Sequence, residues 1–90
     1  MKEVKSGSRF KKDLKRYSNQ PIKLHKLYDL VDFLRKGERI PKEYKPHMLK
    51  GEYSRHMECH IEDDFLLIWM DKNSNLIKLI RLGSHSELFK

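Results

Sequence analysis

The hydrophobic period of this chain changes once, and that change decides its fold class. Up to residue 37 the apolar residues recur at helical spacing; from residue 52 they alternate or run together, as they do in strands. Phe10, Leu14 and Tyr17 fall at i, i+4 and i+7, one apolar stripe with Lys and Arg opposite. The spacing predicts a first helix, N-capped by Ser8 and ending near Ser18-Asn19, because Pro21 follows. Pro21 suits the first turn of a second helix, where its missing N–H costs nothing. Leu24, Leu27, Tyr28, Val31 and Leu34 carry a 3.6-residue period, and Gly37 stands where a left-handed residue would end the helix. The short connection between them predicts an antiparallel helical hairpin.

Residues 37 to 51, with Pro41 and Pro46, show no period, and a connection this long in so small a chain is often functional. Tyr53, Arg55, Met57, Cys59 and Ile61 then alternate with polar residues from Glu52 to Glu62, which reads as a strand with one core face and one polar face. Phe65–Met70 reads as a buried strand, residues 72–75 as a turn, and Leu76–Leu82 as a third strand whose apolar residues do not alternate cleanly. Met1–Lys5 is expected as a short edge strand and Ser86–Phe89 as about one helical turn. Helices followed by a meander predict an α+β fold: two N-terminal helices packed on one face of a small twisted antiparallel β-sheet, the other face open, in a single domain over residues 1–90.

Charge narrows the partners. Twenty Lys and Arg against thirteen Asp and Glu leave +7 on ninety residues, a field that attracts polyanions. No apolar run approaches the roughly 20 residues of a membrane span, and the first ten residues lack the apolar stretch of a signal peptide. The single cysteine, Cys59, has no partner for an internal disulfide. These features predict a cytoplasmic protein with no membrane partner.

Five histidines are present, four of them after residue 46: His47, His56, His60 and His85. Zinc is a poor fit, since on a strand His56 and His60 would stand about 13 Å apart. No metal and no cofactor are expected. General acid–base chemistry on RNA suits the set better. Attack of a ribose 2′-OH on the adjacent phosphate needs a base, an acid for the 5′-oxygen, and positive charge on the phosphate. Histidine serves either proton role near neutral pH, and arginine presents a planar fork to the phosphate. His47, His60, Asp64, Arg81 and His85 supply those parts. Taken singly, each has an ordinary reading as a loop, strand-surface or turn residue. A noncatalytic basic module that binds RNA or an acidic partner is the alternative.

Three segments carry a family likeness: His47-Met48-Leu49-Lys50-Gly51, then Glu58-Cys59-His60-Ile61-Glu62-Asp63-Asp64-Phe65-Leu66-Leu67-Ile68-Trp69, then Arg81-Leu82-Gly83-Ser84-His85-Ser86-Glu87-Leu88-Phe89. Their order resembles the YafQ branch of the RelE toxin superfamily, and Arg9-Phe10-Lys11-Lys12-Asp13-Leu14-Lys15 looks like the first helix of those toxins. The resemblance covers nearly the whole chain. It implies a toxin of a type II toxin–antitoxin module, a small endoribonuclease that cuts mRNA at the ribosome without a metal, on a fold of two helices and a twisted sheet. It implies catalytic roles for His47, His60, Asp64 and His85, with Asp64 or His60 as base and His85 as acid. Arg81 would stabilise the phosphate, and Lys50, Arg81 and Phe89 would hold RNA. The implied partners are mRNA, the ribosome, and a cognate antitoxin whose acidic segment covers the basic surface. Phe65 stands where some relatives carry Trp.

Overall fold

A computed structural model describes residues 1–89. Five strands form one sheet in the order β1-β5-β4-β3-β2: β1 (Glu3–Ser6), β2 (His47–Met48), β3 (Met57–Glu62), β4 (Phe65–Asn73) and β5 (Leu76–Gly83). Three helices accompany it: α1 (Ser8–Lys15), α2 (Pro21–Lys36) and α3 (His85–Leu88). β1 pairs with β5 in parallel and the other neighbours are antiparallel. The expected α+β architecture is what the structure has, with an added parallel edge and a short strand, β2, in the stretch that shows no period.

Phe10 and Tyr17 from the α1 segment and Leu27, Leu30, Val31 and Leu34 from α2 bury their stripe against Cys59, Phe65, Leu67, Trp69, Ile77, Leu79 and Leu82 of the sheet. The opposite face of β4 is not open. Leu66 and Ile68 pack there beneath Leu88, with Leu49, Tyr53, Ile80 and Phe89 around them. β4 is therefore covered on both faces, which is why its sequence runs apolar without alternating. Cys59 is fully buried, and burial together with the neighbouring Glu58 charge pushes its thiol upward.

Several boundaries differ from the expectation for local reasons. α1 is N-capped by Gly7, not Ser8. Gly7 donates its N–H to the Leu79 carbonyl at 2.8 Å, and a Cβ there would stand 3.0 Å from that oxygen. The helix ends at Lys15; Arg16, Tyr17 and Ser18 continue as a tighter turn, each N–H bonding three residues back. α2 runs as expected and stops at Gly37 in the left-handed conformation (φ 71°). The strand expected over residues 52–62 begins only at Met57: residues 51–53 form a 3₁₀ turn and Arg55 takes a left-handed backbone (φ 70°). Glu58, placed by alternation on a polar face, is buried. The irregular alternation of β5 has a cause in pairing. Leu79 faces Trp69 and Arg81 faces Ile68, so the register shifts at Ile80. The extra residue returns Leu82 to the helix-covered face and sends Arg81 to the other.

Candidate active site

The sheet register assembles the site. His47 of β2 lies opposite Glu58 of β3, Glu58 opposite Ile68 of β4, and Ile68 opposite Arg81 of β5. Directly paired residues share a face, so His47, Glu58 and Arg81 lie on one rung across four strands. His60 follows Glu58 by two residues and shares that face. Its partner Leu66 is paired in turn with Gly83, the residue after which the chain enters α3 and His85. The bulge at Ile80 thus serves the site: without it Arg81 would point to the helices.

Glu58 is the centre of the imidazole half. It is 4% exposed, its Oε1 lies 3.1 Å from His47 Nε2 and 3.9 Å from His60 Nε2, and its Oε2 has no hydrogen-bond partner among the described residues. The His47 and His60 ring centroids are 6.2 Å apart. His47 Nδ1 lies 2.8 Å from the carbonyl of Lys45, a residue in left-handed backbone (φ 50°). A carbonyl only accepts, so Nδ1 carries a proton, and the contact of Nε2 with Glu58 is attractive when His47 is the imidazolium. His60 Nδ1 likewise faces the Asp63 carbonyl at 3.2 Å, so in the neutral ring the lone pair is on Nε2, toward the site.

Arg81 is aimed by a residue the sequence did not single out. β1 ends at Ser6, opposite Leu79, and leaves the rest of that β5 edge without a strand. Asp13 of α1, 3% exposed, fills the gap. Its Oδ2 accepts from Arg81 Nε at 2.8 Å and from the Leu82 N–H at 2.9 Å, and its Oδ1 from Arg81 Nη2 at 3.3 Å. This pairing holds the guanidinium charged, above its ordinary range. Nη1 reaches the Tyr53 hydroxyl at 3.4 Å.

The one-turn helix α3 presents His85 on three supports. Ser84 and Glu87 form a capping box, with Ser84 Oγ accepting the Glu87 N–H at 3.2 Å and Glu87 Oε1 accepting the Ser84 N–H at 2.8 Å. Tyr17 donates its hydroxyl to the same Oε1 at 2.8 Å. These bonds lower the Glu87 carboxyl below the usual range, the Ser84 amide first; burial and Glu87 push the Tyr17 phenol up. Asp64 Oδ1 accepts the His85 backbone N–H at 2.8 Å. Asp64 therefore touches His85 through the main chain, and no hydrogen bond joins its carboxylate to an imidazole among the described residues. The His85 and Phe89 rings lie 4.9 Å apart, and Phe89 meets Tyr53 edge-on at 5.8 Å.

An open cleft of about 520 Å³ adjoins this face; Lys50, Arg81 and Phe89 line it, while His47, His60, Asp64 and His85 do not. His60 lines a smaller depression beside Asp63. Phe65 is in the core, tilted against Tyr17 at 4.7 Å, and takes no part in the exposed face. His56 packs on Tyr53, outside the rung. No group of three or more His, Cys, Asp or Glu is arranged to hold a metal ion among the described residues. Alternation placed Glu58 on the polar face, and Asp13 looked like one charge in a basic helix; neither carries a signal in the sequence that marks it as buried.

Residues 2–90 match the family described as the bacterial toxin of type II toxin–antitoxin systems, YafQ. The mRNA interferase toxin YafQ of Escherichia coli is 27% identical over 89 residues, covering 98% of this chain and 96% of that protein. The crystal structure of a copper-bound mutant toxin from Helicobacter pylori superposes with a TM-score of 0.90 at 34% identity, over 99% of this chain and 100% of that one. In the E. coli DinJ-YafQ complex, the similar chain is 26% identical, with a TM-score of 0.86 and full coverage of both chains.

Proposed function

We propose a function on the premise that this chain belongs to the YafQ family of toxins from bacterial type II toxin–antitoxin systems: it is an endoribonuclease that cuts mRNA by attack of a ribose 2′-OH, acting on the ribosome in the cytoplasm. The rung that aligns His47, Glu58 and Arg81, with His60 beside it, carries the reading. His60 takes the 2′-OH proton on Nε2, the nitrogen left free by the Asp63 carbonyl. The 2′-oxygen bonds to phosphorus, the bond to the 5′-oxygen breaks, and His85 gives that oxygen a proton. The products are a 2′,3′-cyclic phosphate and a 5′-hydroxyl.

Arg81 and Lys50 hold the phosphate, where negative charge builds up in the transition state. His47, in its charged form against Glu58, adds a positive charge on the same face. Asp64 fixes the main chain at His85 and so positions the acid. Phe89, its ring tilted against His85, supports a neighbouring base. Since the E. coli relative forms a complex with DinJ, an antitoxin with an acidic segment is the partner that would cover this surface.

Expression should arrest growth, and His85→Ala or His60→Ala should relieve the arrest while Trp69, buried in the core, reports a retained fold. Folded variants that both stay fully toxic would refute the site. RNA binding without new RNA ends in any condition would favour the noncatalytic basic module.

A further inference from the structure

The cleft that adjoins the site runs away from the imidazoles onto α1, where Arg9 and Arg16 line it together with Lys50, Tyr53, Arg81 and Phe89. It is open to solvent, about 520 Å³ in volume, and four cations outnumber the two carboxylates, Glu52 and Glu87, on its wall. Its cations differ in what they already hold. Arg81 is committed to Asp13, and Arg16 lies 3.6 Å from Glu87 Oε2 and 3.7 Å from Asp13 Oδ1. Glu87 is itself engaged by its capping box and by Tyr17. Arg9 and Lys50 are exposed and pair with no carboxylate among the described residues.

We propose that Arg9, with Lys50 and Arg16, forms a second phosphate subsite, holding the RNA backbone beyond the phosphate that Arg81 grips; it rests on the reading of the site as RNA-cleaving. Unpaired cations on a concave wall concentrate positive potential where an anion can enter. Arg9 stands in the first turn of α1 and Arg16 is its C-cap, seven residues and about 10 Å further along, and both line the cleft. One phosphate cannot span that distance, whereas a strand carries a phosphate on every nucleotide. The cleft also offers rings: Tyr53 and Phe89 both line it and meet edge to face at 5.8 Å, and aromatic rings are where unpaired bases stack. Guanidinium forks beside aromatic faces suit a single-stranded polynucleotide better than an acidic peptide, which supplies carboxylates but no bases to stack.

Anisotropy of a labelled RNA oligomer, 2′-O-methylated throughout so that it cannot be cut, tests this without relying on catalysis. Titrations between about 50 and 200 mM salt with wild type, Arg9→Ala, Arg9→Lys and Lys72→Ala give both affinity and salt slope. Lys72, at the far end of β4, controls for loss of charge alone. Arg9→Ala should weaken binding roughly tenfold and flatten the slope by about 0.7, the share of one single-strand phosphate contact. Arg9→Lys should restore the slope, and Lys72→Ala should leave both nearly unchanged. Equal, small effects of Arg9→Ala and Lys72→Ala would overturn the subsite. So would RNA binding that ignores Arg9 while binding of an Asp/Glu-rich peptide depends on it, which would assign the cleft to an acidic polypeptide. Arg9-dependent binding by a protein that never cuts RNA would support the subsite and refute the catalytic reading alone.

Discussion

Replacing Asp13 by asparagine removes the charge that aims Arg81 while keeping the shape of the side chain. The carboxylate accepts three hydrogen bonds, two from Arg81 and one from the Leu82 amide. Asp13 is buried and Arg81 half-buried, with side-chain exposures of 4% and 12%. An asparagine oxygen at the Oδ2 position would keep the Arg81 Nε and Leu82 bonds, but its NH₂ would then face Arg81 Nη2, donor against donor. Hydrogen bonds to a charged group are worth about 1.5–3 kcal/mol, so Asp13→Asn should cost about 2–3 kcal/mol. Asp13→Ala removes the guanidinium's carboxylate and leaves the Leu82 N–H without its acceptor, and should cost about 3 kcal/mol. A chain of this length has about 5–13 kcal/mol in total. Each kcal/mol shifts its Tm by about 4–8 °C, so the Asn variant should melt roughly 8–24 °C lower. Urea titration followed by Trp69, the only tryptophan and 3% exposed, reads the loss. A double-mutant cycle with Arg81→Ala isolates the pair, and the two losses should overlap by at least about 1.5 kcal/mol. Additivity within about 0.5 kcal/mol, or an Asn variant as stable as wild type, would refute the role given to Asp13.

Glu62 is lowered by Lys23 first and Lys26 second, and Glu87 by the Ser84 amide and then the Tyr17 hydroxyl. Carboxyls held low in the folded state contribute stability that is complete above their unfolded value, about 4.3, and lost as pH falls through the folded values. The urea midpoint should therefore hold from pH 7 to about 5 and drop below about 4.5, less steeply in Glu62→Gln; a midpoint that rises on acidification would contradict this. Glu58, buried with one oxygen unpartnered among the described residues, should be a site where function costs stability. Glu58→Leu should raise stability by about 1 kcal/mol in the same urea assay and lower RNA cleavage at least tenfold. A destabilised but fully active Glu58→Leu would show the carboxylate to be structural only.

The helices were legible because their register is a local property: Leu27, Leu30, Val31 and Leu34 define the buried face of α2, and Gly37 ends it, without reference to any other element. The strands of the meander were legible for the same reason. What escaped depends on pairing between distant segments. The face of Arg81 is set by a register shift against β4 that no count along β5 reveals. Glu58 is buried because His47, on a two-residue strand too short to show a period, lies across from it. Asp13 is buried by a guanidinium 68 positions away. The expected site residues were nameable from their chemistry, yet the acidic residues that orient two of them, Glu58 for His47 and Asp13 for Arg81, could be found only from the assembled sheet.

The chemistry of the RNA ends left in cells that express the protein, wild type beside a folded His85→Ala, tests the cleavage claim most directly. Attack by the 2′-OH predicts new 5′-hydroxyl and 2′,3′-cyclic phosphate ends with the wild type and their loss with His85→Ala. New 5′-phosphate ends, or the same cuts made undiminished by the folded variant, would contradict it.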